Sequence, residues 1–405
     1  MTTQLHCSRG KRNDPAAPAA PPSAPATSPA PSNVESARTE PLPAPSSSAA
    51  VGVRTPGLKL EKPIDLGAPG ALVATDRGVI FRTRDDELTG VPLAEAPARL
   101  RAKESADGTR ALRGPPLTFA RSSHVYWVTR GKLVRRAFNW DATAASGPLE
   151  VLANDAHDGT RVAAETLAAD PGTAGRDVAL YIARAVRAGD ERVARAWVEG
   201  AGTIGITSEG SGASSVALAK TPTRLLAISL DARAAMSPVH ARTIEVGFQG
   251  PPRLGSDVVV FVGPPPESHI DVAAVAGSEG PVAFIPFARD TSSFGLASLA
   301  IGSEPHLDAP VQWNIYPGGI DPAPVDGAVV CQRVWTAYAR PSDADGGSPN
   351  LLELSPVDGG AFGRGITAGQ GFDFSLISMA ARADGGAWLA WVGNGRSWVR
   401  GLKCS

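Results

Sequence analysis

Between about residue 70 and the C-terminus, short apolar runs occur in pairs. A polar or glycine-bearing turn separates the two members, and the second leads into Ala or Arg. Seven pairs follow one another. The first three are Ala71–Ala74 with Val79–Phe81, Leu117–Ala120 with Val125–Val128, and Thr166–Ala169 with Val178–Ile182. Next come Val216–Ala219 with Leu225–Ile228 and Val272–Val275 with Val282–Ile285. The last two are Ala328–Cys331 with Val334–Tyr338 and Ser375–Ser378 with Ala387–Trp391. Runs this short, bounded by Gly, Pro and Asp, predict strands, and each pair predicts a β-hairpin. Their continuous apolar character predicts burial on both faces. A weaker run follows most pairs: Lys132–Phe138, Arg192–Val198, Val239–Ile244, Gly295–Leu299, Leu351–Leu354 and Ser397–Arg400. Alternation there predicts a third strand with one solvated face. Arg176–Val198 also fits a helical period, but the turn at Gly189-Asp190 and its place in the series predict a hairpin.

The middles of the second strands are Ile80, Tyr126, Leu180, Leu226, Ala283, Thr336 and Leu389, at steps of 46, 54, 46, 57, 53 and 53 residues. That spacing is the scale of a four-stranded blade. The series resembles a generic β-propeller repeat protein, in which each hairpin buries its faces only against its neighbours. The seventh copy, Asp384–Trp391, is similar to a propeller hairpin in pairing an Asp/Gly turn with a Trp-bearing strand. The signatures of WD and kelch repeats are absent. The sialidase Asp-box is approached, but shifted by one residue and without its Ser. The expectation is therefore an all-β, seven-bladed β-propeller over residues 58–405, with six blades as the alternative if the third region is an insertion. Val53–Leu60 is expected to supply an outer strand to the last blade. Asp-Gly pairs at Asp107-Gly108, Asp158-Gly159, Asp326-Gly327, Asp345-Gly346 and Asp384-Gly385 predict hairpin turns.

Residues 1–57 are of another kind. Asp14 to Pro45 is nearly all Pro, Ala and Ser, which predicts a disordered, semi-extended N-terminal tether. Val258–Val262 is about the longest apolar run, far below the roughly 18 residues of a spanning helix, so no transmembrane segment is expected. Met1–His6 lacks the apolar region of a secretory signal. Cys7 followed by this tether resembles the mature N-terminus of a bacterial lipoprotein. The resemblance implies lipidation of Cys7, a lipid anchor and an extracytoplasmic location, in the periplasm or at the cell surface. The chain departs from that family in Gln4-Leu5-His6, which is not its small apolar triplet, and in the missing hydrophobic segment. Of three cysteines, Cys331 lies in the sixth copy and Cys404 at the end of the seventh. In a closed ring these two meet, giving a disulfide and an oxidising compartment, or else they stand as separate buried thiols.

Net charge is −1, from 39 basic and 40 acidic residues well interspersed. The balance argues against a nucleic-acid or anionic-membrane partner, and Arg9, Lys11 and Arg12 read as a solvated terminus. Gly200-Ala201-Gly202-Thr203-Ile204-Gly205 has dinucleotide-loop spacing, but Gly210 and Gly212 break any following helix. His6, His124, His157, His240, His269 and His306 lack metal-ligand spacing, and Asp343-Ala344-Asp345-Gly346 lacks the further carboxylates of a Ca²⁺ loop. No metal or cofactor is expected. Asp65, Asp76, Asp177, Asp257 and Asp373 fall near strand starts, where top-face loops are presented. Most tryptophans fall on strands and read as wedges between blades; Trp313 is the candidate for an exposed ligand contact. Two readings stand. One is a non-enzymatic binding module or interaction scaffold with an unknown protein or glycan partner. The other is an enzyme acting on a glycan or similar polymer through carboxylates at the central funnel.

Overall fold

A computed structural model describes residues 57–67, 70–82, 87–93, 117–120, 123–167, 175–185, 192–208, 212–231, 237–247, 250–263, 272–290, 293–302, 304–320, 324–342 and 347–405. The tether, Cys7, Val53–Pro56, Asp107-Gly108, Gly189-Asp190 and Asp343–Gly346 lie outside them. The described residues form 30 strands and no helix.

All seven predicted hairpins are present, each opening an antiparallel meander, here called a unit. Units 1 to 4 begin with Leu72–Ala74/Gly78–Arg82, Thr118–Ala120/His124–Thr129, Ala163–Leu167/Arg176–Arg184 and Ala213–Lys220/Leu225–Asp231. Units 5 to 7 begin with Ala273–Gly277/Gly280–Asp290, Val325–Val330/Arg333–Arg340 and Phe374–Ala381/Ala387–Gly393. The third strands of units 2 to 6 are Lys132–Asn139, Arg192–Val198, Ser237–Glu245, Ser293–Ala300 and Asn350–Asp358. Arg176–Val198 is thus a hairpin, paired from Val178↔Val198 to Arg184↔Arg192. In unit 7 the third strand, Arg396–Cys404, pairs with Leu58–Leu60 in the register Leu58↔Cys404 and Leu60↔Leu402, so the first described strand completes the last sheet. Units 1 and 2 share one seven-stranded sheet through the single pair Thr89↔Ala144.

The core is divided among the junctions. Among the described residues, buried apolar side chains form seven clusters, each shared by two consecutive units, as Val178, Leu180 and Ile182 of unit 3 pack with Val216, Leu225 and Ala227 of unit 4. The circle closes where Leu72 and Val79 of unit 1 meet Trp388 and Val392 of unit 7. The first strand of each unit also lies beside that of the next, and that of unit 7 beside that of unit 1. The fold is a β-propeller.

Three expectations need correction. Asp326-Gly327 is no turn; it lies inside Val325–Val330, and the turn is made by Cys331 and Gln332 at φ 51° and 62°. Glycine is required at 327 by close approach: a Cβ there would stand 2.8 Å from Val275 Cγ2 and 3.0 Å from the Trp335 carbonyl oxygen. The first strand of unit 3 begins at Ala163, three residues before the expected Thr166, because its pairing with the second strand runs from Ala163↔Leu180 to Leu167↔Arg176. The third strands of units 5 and 6 are buried on both faces nearly throughout. Sheets stacked face to face cover both surfaces, so the solvated positions move to outer strands such as Gln312–Pro317.

Candidate functional site: the axial cavity

Each first strand pairs on one side only, with its own second strand, so its other edge of backbone N–H and C=O groups faces the axis. Side chains of adjoining units cap part of that edge. Ser215 Oγ accepts from Val272 N–H (3.1 Å), Ser378 Oγ from Ala74 N–H (3.0 Å), and Asp326 Oδ2 from Met379 N–H (2.9 Å). Thr118 Oγ1 donates to the Val162 carbonyl, and Lys220 Nζ to the Thr166 carbonyl. The bonds join start to start (Ser215 with Val272) and end to end (Lys220 with Thr166). First strands therefore run in the same direction around the axis, and the turns that follow them gather at one end.

The strands enclose a cavity of about 1870 Å³. Its walls are small apolar side chains, including Ala164, Ala217, Ala274, Ala328 and Ala380. The turns supply a rim of both charge signs, with Asp76, Arg77, Arg224, Glu279 and Arg382. Arg224 pairs with Glu304 at 3.1 Å. Arg382 pairs with Asp384 at 2.5 Å and lies 4.5 Å over the Trp388 ring.

An ion pair between described residues crosses the cavity. Arg161, two residues before the first strand of unit 3, places Nη2 3.2 Å from Asp326 Oδ2 and donates from Nη1 to the Val325 carbonyl at 3.1 Å. Units 3 and 6 are separated by two units on one side and three on the other, so this tie spans the axis. Both residues lie at strand starts, opposite the rim. Asp326 is also held by the N–H of Gly327 (2.9 Å) and of Met379, so one carboxylate links the first strands of units 6 and 7 to the residue leading into that of unit 3.

A second polar cluster lies between units 2 and 3. Fully buried Asp177 accepts from Tyr126 Oη (2.5 Å) and Thr166 Oγ1 (2.7 Å), with His124 Nδ1 at 3.6 Å and Arg135 Nη1 at 3.9 Å. Arg135 continues to Glu199 (3.0 Å) and Glu150 (2.9 Å) and lies over Trp197. The pattern recurs between units 5 and 6: Tyr316 and Tyr338 share a hydrogen bond of 2.6 Å, both reach Glu353, and Arg340 pairs with Glu353 over the Tyr316 ring. Burial, then the Asp177 charge, drives the Tyr126 pKa far above its ordinary value. Burial likewise lifts Tyr316 to about 12. These clusters clamp adjoining sheets.

The carboxylates singled out in the sequence do not converge. Asp76 is on the rim, Asp65 pairs with Arg396, Asp177 is in the clamp, Asp257 meets His240, and Asp373 accepts from the Asn394 N–H. Among the described residues no group of three His, Cys, Asp or Glu side chains could hold a metal. Gly202–Gly205 is an outer strand of unit 3. Trp313 is half-buried, packed on Phe261 (6.0 Å) and Phe287 (5.6 Å) between units 4 and 5. Cys331 and Cys404 are bonded, their Cα atoms 5.5 Å apart. Arg161 and Asp326 escaped sequence reasoning, since nothing local signals a bond between residues so far apart.

No protein-family model matches the chain, and no curated protein matches it. Among solved structures it is similar to the Dos1 propeller (8% identity, TM-score 0.44, covering 80% of this chain and 75% of that one). It is similar to AofleA from Arthrobotrys oligospora (10%, TM-score 0.41, 85% and 86%). The six-bladed fungal lectin of Aleuria aurantia, for which a fucose recognition mode is described, is a third (13%, TM-score 0.38, 72% and 92%). Similarities this distant say nothing of ligand or partner.

Proposed function

We propose that this protein is a non-enzymatic binding module, a seven-bladed platform whose ligand site is the turn-lined mouth of the axial cavity. The seven junction clusters support the blade count. The observation that carries the functional reading is the state of Asp326. The carboxylate that meets its partner across the axis is engaged by Arg161 and by two backbone amides, an arrangement that holds strands together. The small apolar walls and the rim of mixed charge suit recognition of a ligand by shape and several polar contacts.

Alanine substitution of the cavity carboxylates Asp76, Glu165, Glu279 and Asp308, singly and in pairs, tests this on a glycan panel. The binding reading expects no turnover from any variant or from the parent. Turnover by the parent that disappears with one carboxylate pair overturns it in favour of a glycan-cleaving enzyme. A photoreactive residue at Thr223 on the rim is expected to capture a partner that the same residue at Val259, on an outer strand, does not; equal capture at both positions counts against the rim.

The location we propose is extracytoplasmic, with the domain of residues 58–405 displayed on an N-terminal tether anchored by lipid at Cys7. The Cys331–Cys404 bond supports an oxidising compartment. Mass spectrometry of the native N-terminus tests this part: lipid on Cys7 agrees with it, and an unlipidated Met1 in the cytosolic fraction ends it.

A further inference from the structure

Phe372, on the turn joining units 6 and 7, is 66% exposed, the most exposed large apolar side chain among the described residues. One exposed apolar residue is ordinary on a protein surface; the frame around this one is not. Phe372 N–H donates to Asn394 Oδ1 (2.9 Å), and Asn350 Nδ2 donates to the Phe372 carbonyl (3.0 Å). The neighbouring Asp373 accepts from Asn394 N–H through Oδ1 (2.6 Å), and Asn394 Nδ2 reaches the Gln370 carbonyl (3.5 Å). Asn394 and Gly395, at φ 54° and 67°, make the two-residue turn of the last hairpin, so one turn is fastened to another. Gly371 lets them close: a Cβ there would lie 3.2 Å from Asn394 Nδ2 and 3.3 Å from the Phe374 ring.

All of these bonds hold the backbone, and the phenyl ring they present lies mostly in water. A ring held this way loses little conformational freedom on meeting a ligand. The surroundings select the ligand class. Gln370, Asp373 and Asn394 are exposed and Asn350 is half-buried, all of them part of the frame that carries the ring. The Gln370 side chain, Asn350 Oδ1 and Asp373 Oδ2 take no part in the frame. The other exposed large apolar residues, Leu149, Val151, Val259, Val262 and Ile315, belong to units 2, 4 and 5. An aromatic anchor for a protein partner sits among contacts that exclude water. A pyranose has a C–H face to lie on one ring and hydroxyls around its edge to meet amides and a carboxylate.

We propose that Phe372, with Asn350, Gln370 and Asp373, forms a glycan-binding site distinct from the axial cavity. The phenyl ring stacks on the C–H face of a sugar, and the flanking side chains bond its hydroxyls.

The test uses the full-length protein on an array of neutral hexose and N-acetylhexosamine oligosaccharides, with affinities of bound sugars measured by calorimetry. At least one sugar is expected to bind. Phe372→Ala should weaken it about tenfold or more, the scale of one stacked aromatic, whereas Phe372→Trp should retain it. Thr367→Ala, at an exposed position outside the frame, should leave it unchanged. Because the ring is exposed, Phe372→Ala should melt with the parent, which separates lost binding from lost folding. Failure of the parent to bind any array sugar, or equal binding by Phe372→Ala, overturns the proposal. A protein partner lost with Phe372→Ala while no sugar binds overturns its ligand class. Rim substitutions are expected to leave this binding untouched, so the axial reading can fail without this one.

Discussion

Breaking the Cys331–Cys404 bond perturbs the molecule where it closes. Cys331 forms the first turn of unit 6, and Cys404 ends the last strand of unit 7, opposite Leu58 in the register of the closing strand. The Gly385 carbonyl accepts from Cys331 N–H at 2.8 Å, and its oxygen lies 3.4 Å from Cys404 Sγ. The cysteines are 73 residues apart. Treated as loss of loop-closure entropy from the unfolded chain, a crosslink of that length is worth about 4 kcal/mol at 25 °C. Unfolding entropy of about 2 cal/mol/K per residue, over a folded part of roughly 350 residues, sums to about 0.7 kcal/mol/K. The bond should therefore raise the melting temperature by about 6 °C. The assay is calorimetric or fluorescence melting of a Cys7→Ser protein, oxidised and reduced, beside the Cys7→Ser/Cys331→Ser/Cys404→Ser variant. The reduced protein and the triple variant should melt together, below the oxidised form. Equal melting temperatures in all three would refute the reasoning, as would a free-thiol count of two in the untreated Cys7→Ser protein.

Three further outcomes are expected. Arg161→Met should cost about 1–3 kcal/mol in denaturant unfolding, and Asp326→Ala more than Arg161→Met, because it also strands the amides of Gly327 and Met379; the reverse order would contradict the trans-axial tie. All four tyrosines have pKa values raised by burial, Tyr316 to about 12. Raised folded-state values mean that their stabilisation is complete below pH 10 and lost as pH rises through those values, Tyr316's first at about 12. Absorbance at the tyrosinate band should thus stay flat through pH 10 and rise only with unfolding; titration of even one tyrosine near pH 10 in the folded protein counts against the buried clamps. Gly327→Ala should cost about 1–3 kcal/mol through overpacking on Val275 and Trp335, and an unchanged unfolding midpoint would contradict that packing.

How much of this was legible in the chain depends on range. Hairpins such as Val272–Val275 with Val282–Ile285 could be read because continuous apolar runs between glycines mark strands covered on both faces. The closing role of Leu58–Leu60 could be read from the need to complete the last sheet. Long-range polar bonds could not. Asp326-Gly327 has the composition of a turn, yet Asp326 serves an amide of the next unit and a guanidinium across the axis, and Gly327 yields space to Val275. Leu351–Leu354 was expected to keep one wet face, but sheet-on-sheet stacking covers both. Phe372 carried no signal because its meaning lies in Asn350 and Asn394, which neighbour it only in the fold.

The ring closes where unit 7 lies against unit 1. The Ala74 N–H donates to Ser378 Oγ at 3.0 Å across that junction, between residues 304 apart in sequence. An Ala74→Cys/Ser378→Cys protein, made with Cys7→Ser and oxidised under mild conditions, tests the contact by peptide mapping. A closed ring predicts an intramolecular crosslink in a monomer, joining the peptides that carry positions 74 and 378. Recovery of both thiols free, or crosslinks only between separate molecules, would contradict it.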